Sequence, residues 1–211
     1  MNAPYSFNFK YDPILENPFR SEIDYNKEID ERVRQLQLMK DKYNSYFGLN
    51  GKTVYLTSTI QPRNFKEINK DKLEIAYFGN ISLGRNYSLN DIGYALGDIN
   101  PNYILHIYSN EINEKFYKLF FKNQNIKFHG SVPYNETQKK INESDIIVIV
   151  EGFDKKYLNF TKYSLSTKVA DYLASGTSVF AYGPLESGTI EYLHRNKCAE
   201  VCFNKENLKE S

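Results

Sequence analysis

The 211 residues carry 27 Lys and Arg against 26 Asp and Glu, a formal charge of +1 that leaves no electrostatic footprint for a nucleic-acid partner. Cys198 and Cys202 match neither a disulfide framework nor the C-x-x-C spacing of a metal or redox pair, which points to apolar packing in a reducing compartment. No apolar run approaches the roughly 18 residues that span a bilayer, and the opening MNAPYSFNFKYDP lacks a basic-then-apolar leader pattern, so a soluble cytoplasmic chain is expected.

Residues 1–20 are aromatic and punctuated by Pro4, Pro13 and Pro18, the pattern of an extended arm that lies on another surface. Ile29, Val33, Leu36, Met39, Tyr43 and Phe47 then follow steps of three and four and end at Gly48, which predicts a long amphipathic helix. KTVYLTST (52–59) reads as a short strand, and the charged stretch 64–72 as a surface connection. Two units are expected: an arm, long helix and short strand over 1–70, and a larger unit over 71–211.

In the larger unit, short β-rich runs alternate with helical ones. The runs are LEIAYFG (73–79), YILHIYS (103–109), IKFHG (126–130), DIIVIV (145–150), TSVFAY (177–182) and AEVCF (199–203). Several are apolar on both alternating faces, as in strands covered by helices on both sides. Leu89, Ile92, Leu96 and Ile99 make one helical stripe between them, and Ile112, Phe116, Leu119 and Phe120 another. Repeated strand-helix alternation implies right-handed crossovers and an α/β, doubly wound parallel sheet of Rossmann-like type, preceded by the long helix. Ligands of such sheets bind beyond the carboxyl ends of the strands, so function is sought in the segments that follow them.

The first strand runs into Gly79-Asn80-Ile81-Ser82-Leu83-Gly84-Arg85, a Gly-bounded turn entering a helix, where exposed amides and the Arg85 guanidinium can hold phosphate oxygens. It misses G-x-x-x-x-G-K-[ST] because Arg85 and Asn86 replace the Lys and the hydroxyl, and a simple chain turn with a solvated Arg85 is the plain alternative. A second segment, Ser164-Leu165-Ser166-Thr167-Lys168-Val169-Ala170-Asp171, follows DIIVIV after an irregular loop. Its hydroxyls, which also supply a cap, its free amides and Lys168 suit a diphosphate, and Asp171 one turn on can accept hydrogen bonds from a ribose diol. An ordinary capped helix with a surface Lys168–Asp171 pair accounts for the same residues.

The run S-T-K-V-A-D-Y-L-A-S-G-T-S-V-F-A resembles the P-S-K-x-x-E-Y-x-A-x-G-x-P-V-x-A segment in the donor-binding half of GT-B glycosyltransferases, of the retaining group 1 or family 4 class. Ala76-Tyr77-Phe78-Gly79 is similar to that family's opening strand, Ile126 to Val132 to its I-x-F-x-G-x-V element, and Ser144 to Val148 to its A-D-I-x-V strand. Met39 to Gly48 resembles the M-x-x-x-Y-x-x-x-F-G helix before the donor half, so the likeness covers about 40–210. The resemblance implies a nucleotide-sugar donor whose sugar passes to a polysaccharide or lipid-linked acceptor. Asp171 would meet the donor ribose, Lys168 and Arg85 its diphosphate together with Gly79, Asn80, Ser164, Ser166 and Thr167, and backbone at Val132 its base. No metal and no cofactor beyond the donor are expected, and no catalytic residue is assigned.

The sequence departs from the family at three places. Tyr163 stands where the first acid of E-x7-E belongs, Gly79-Asn80 replaces Gly-Arg, and Asp171 is one bond shorter than Glu. The resemblance also implies an N-terminal acceptor domain, or a separate acceptor subunit, and a cytoplasmic chain working on its own side of the membrane where a lipid-linked acceptor is held. A non-catalytic nucleotide- or sugar-binding or partner-docking module, and a fragment of a nucleotide-sugar epimerase, are the competing readings. Glu151 and Asp154 could replace the missing acid, although a solvated loop beside Lys155 and Lys156 is the expected setting. His106, His129 and His194 have no metal-pair spacing, and structural roles are expected of them, His129 lying nearest a cleft.

Overall fold

The computed structural model describes residues 37, 39–48, 50–52, 57–110 and 114–210. Among these, six strands form one parallel sheet: β1 (Glu74–Phe78), β2 (Ile104–Tyr108), β3 (Ile126–Gly130), β4 (Ile146–Val150), β5 (Ser178–Tyr182) and β6 (Glu200–Cys202). Their order is β3-β2-β1-β4-β5-β6, so the chain winds outward from β1 in one direction, returns, and winds outward from β4 in the other. The expected doubly wound parallel sheet is therefore present, and a crevice opens where β1 and β4 send their crossovers to opposite sides.

Helix α1 (39–47) is largely exposed, and the helices that follow cover the sheet: α2 (Arg85–Ile99), α3 (Glu114–Phe120), α4 (Tyr134–Glu143), α5 (Lys155–Thr161), α6 (Lys168–Ser175) and α7 (Gly188–Asn196). Side chains alternate across the strands and build a core on each face. Ile75, Tyr77, Val148 and Val150 pack with Leu89 and Ile92 of α2 and Phe120 of α3. Ala76, Phe78, Ile147 and Ile149 pack with Val169 and Tyr172 of α6, Ile190 and Leu193 of α7 and Ile141 of α4. Cys202 is buried and Cys198 partly so.

All six predicted strand runs form strands, each within two residues of its expected ends. The long helix is seen over 39–47; its first half and the aromatic arm lie outside the described residues. So do residues 53–56 of KTVYLTST, and 57–59 are not in a strand. The loop expected between β4 and Ser164 contains α5, whose start is capped by Asp154 accepting from the Lys156 amide at 3.0 Å. Residues before β1 lie on the sheet: Ile60 is buried in the second core, the Arg63 amide donates to the Ser175 carbonyl at 2.8 Å, and Lys66 pairs with buried Asp145 at 2.7 Å. No described helix is long and apolar enough to cross a membrane.

Candidate functional site

The turn from β1 to α2 is shaped by backbone that few residues adopt. Gly79 has φ 129°, Leu83 φ 55° and Gly84, the N-cap of α2, φ 80°. A left-handed Leu83 is held against its preference, and such strain concentrates at ligand sites. The opposite wall is just as close, because a Cβ on Gly152 would come within 2.3 Å of the Leu83 carbonyl oxygen. The amides of Arg85 and Asn86 already donate to Ser82 and Ile81 carbonyls at 3.2 and 2.9 Å, so the start of α2 is less open to an anion than the sequence suggested. Asn80 is exposed and is bonded within its own turn: its side-chain oxygen accepts from the Ser82 amide at 2.7 Å, and its carbonyl accepts from the Tyr77 hydroxyl.

Lys168 opens α6 and reaches across this turn. A Cβ on Gly79 would meet its Cε at 2.4 Å and its Nζ at 2.5 Å, so a larger residue there would push the ammonium out of this place. The ammonium stands 4.9 Å from the Tyr77 ring centroid and donates to the Tyr77 hydroxyl at 3.4 Å. Loss of water around it and the like charge of Arg85 lower its pKa to about 8, against the opposing pull of Glu151. Arg85, the first residue of α2, donates from Nη2 at 2.9 Å and Nε at 3.1 Å to a single oxygen, Oε2 of Glu151.

Glu151 follows directly on β4 and is 3% exposed, which overturns its expected place in a solvated loop. Burial raises its pKa, and the charge and hydrogen bonds of Arg85 act in the other direction. Asp154 is the exposed one: it caps α5 and pairs with Lys156 at 2.8 Å, so its position is accounted for by the helix. The crevice thus gathers two cations and one buried carboxylate at the ends of β1 and β4, a setting that favours a ligand with more than one negative oxygen.

The other predicted residues fall at different distances from this cluster. Thr189 fixes the approach to α6, donating to the Ser164 carbonyl at 3.2 Å and accepting from the Ser166 amide at 2.9 Å. Thr167 is exposed at the N-cap, yet no side chain caps α6, contrary to the expected Ser/Thr cap. Asp171 is half-buried one turn along α6, with no hydrogen bond or salt bridge to a described residue, so the surface pair with Lys168 does not form. Val132 lies after β3, two strands from β1, so strand order does not set it beside Lys168 or Arg85. Tyr163 sits before α6 with Lys162 over its ring at 5.5 Å.

His106 and His129 meet on the far half of the sheet, Nδ1 to Nε2 at 2.8 Å. They are diagonal neighbours on β2 and β3, a relation set by strand register that linear spacing does not show. Burial lowers both pKa values, and His129 stacks on Tyr108 with centroids 4.6 Å apart. No group of three or more His, Cys, Asp or Glu able to hold a metal ion occurs among the described residues.

A parallel sheet in this order, with its crevice at the switch point, is a doubly wound, Rossmann-like fold, and solved structures of TarM share it. A variant of TarM from S. aureus, solved with Fondaparinux, alpha-GlcNAc-glycerol and UDP, superposes with a TM-score of 0.54 at 14% identity over 81% of this chain and 34% of that one. A second TarM structure gives 0.49 at 16% identity, over 73% of this chain and 30% of that one. The C-terminal domain of LpcC from Francisella tularensis, a group 1 glycosyl transferase, gives 0.44 at 13% identity, over 64% and 71%. The likeness is one of fold, and the chain spans about a third of the length of TarM. No protein-family model and no curated protein sequence matches the chain.

Proposed function

We propose that this chain is the donor-binding half of a glycosyltransferase that passes a hexose-like unit from a nucleotide-sugar to a polysaccharide or lipid-linked acceptor. The observation that carries the reading is the convergence of Lys168 and Arg85 on the strained Gly79–Gly84 turn at the β1/β4 switch point. The TarM structure of like fold was solved with UDP, a ligand whose diphosphate suits such a crevice. Lys168, with Arg85 behind it, would stabilise the charge that develops on the departing nucleoside diphosphate, and these fixed cations take the part that a divalent ion plays elsewhere. Asp171, unpaired on the same helix, would accept from the ribose diol, and backbone near Val132 would edge the base. Ser164, Ser166, Thr167, Gly79 and Asn80 shape the walls.

The acceptor would be presented by an N-terminal domain or a separate subunit, in the cytoplasm or at the inner membrane face, with no nucleic acid involved. A non-catalytic nucleotide-binding module is the second reading, favoured by Tyr163 in the place of an acid. Calorimetric titration with UDP, GDP and their sugar conjugates tests the first. Saturable binding of one nucleoside diphosphate, weakened about tenfold or more in Lys168→Ala and in Asp171→Ala, is the expected result. Absence of saturable binding at millimolar ligand would overturn it. Transfer of sugar once an acceptor domain is added separates an enzyme from a module that only binds.

A further inference from the structure

A buried carboxylate works against the purpose of an anion-binding crevice, and Glu151 is placed too firmly to be an accident of packing. Its amide donates to the Tyr182 carbonyl at 3.0 Å, and its own carbonyl accepts from the Ser88 hydroxyl at 2.7 Å. A Cβ on Gly183 would stand 3.0 Å from the Glu151 Cβ, so the neighbouring strand end also closes on the side chain. Thus fixed, one carboxylate oxygen takes both the Nε and Nη2 donors of Arg85. An ion pair removed from water in this way is rarely worth more to stability than apolar side chains of the same size, so folding alone does not account for it. With Arg85 neutralised, Lys168 is the standing charge that the crevice offers.

Resting on the reading of this crevice as a diphosphate site, we propose that Glu151 is a positioning residue that competes with the ligand for Arg85. It holds the guanidinium edge until a diphosphate draws it away, which keeps affinity low and lets the nucleoside diphosphate leave after transfer. The pair thereby sets the strength of anion binding rather than only the shape of the site.

The test uses inorganic pyrophosphate, which isolates the anion site from base and sugar, titrated calorimetrically into the full chain and into E151Q, E151M, E151D, R85A and the E151Q/R85A double variant. E151Q is expected to bind pyrophosphate about tenfold more tightly than the unsubstituted chain, a gain that a merely structural role would not produce. E151D keeps the charge and is expected to show no gain, and the gain should vanish in the double variant because it flows through Arg85. E151M, a second variant that removes the charge and keeps the bulk, is expected to show the same gain, which reads the same competition should E151Q fail to fold. Unchanged or weaker affinity in a folded E151Q or E151M, or a gain that survives without Arg85, would each overturn the proposal. Pyrophosphate, UDP and GDP all failing to bind any of the chains would overturn the diphosphate site itself and this inference with it.

Discussion

Lys168 is placed to make ligand binding depend on pH in the alkaline range. Its ammonium has lost water and faces Arg85, so its pKa is lowered to about 8, and in the free chain the charge is lost as pH rises through that value. A bound diphosphate favours the charged form and raises the pKa again, so binding near the midpoint takes up a fraction of a proton. Affinity is therefore full below about 8 and declines above it. Calorimetry from neutral pH to well above the midpoint, in buffers of different ionisation heat, should show both the decline and the proton uptake. Lys168→Arg, whose guanidinium stays charged throughout, should remove the inflection even if it binds more weakly. A flat profile for the unsubstituted chain would take Lys168 out of the site.

The segment that delivers Lys168 depends on one hydroxyl. Thr189, 1% exposed at the start of α7, ties the Ser164 carbonyl and the Ser166 amide, and Gly188 beside it would bring a Cβ to 3.0 Å from the Ser164 oxygen. Thr189→Val keeps the volume but leaves those backbone groups without their partner, so a loss of about 1–3 kcal/mol in urea unfolding is expected, with weaker diphosphate binding as α6 loses its anchor. The strands were legible in the sequence because their β-branched and aromatic runs are bounded by polar turns, and DIIVIV or TSVFAY admits little else. Helix α5 was not, since KKYLNFT has no apolar stripe and only Asp154 marks its start. Arg85 could be found because it begins a helix soon after β1, and Lys168 because it opens a helix behind Ser164, Ser166 and Thr167. Glu151 could not, because nothing in EGFDKK separates a buried carboxylate from a solvated one. Its partner lies 66 residues away and becomes a neighbour only through the adjacency of β1 and β4, which strand order decides.

That adjacency also limits where a nucleotide can lie. Lys168, Gly79 and Glu151 occupy the middle of a six-stranded sheet, and a nucleoside extending from a diphosphate there must run toward β3 or toward β6. In the donor site proposed above the base runs toward Val132, whose strand is two places from β1. Amide hydrogen exchange discriminates the two directions, because a ligand slows opening only in the backbone it touches or orders. Pyrophosphate should protect 79–84, 151–153 and 166–170, the three segments that wall the crevice, and leave 130–133 unchanged. UDP or GDP, whichever binds, should add protection at 130–133. Added protection beyond β5, over 183–188, would place the base on the opposite side, remove Val132 from the site and turn the donor's sugar toward the open edge at β3.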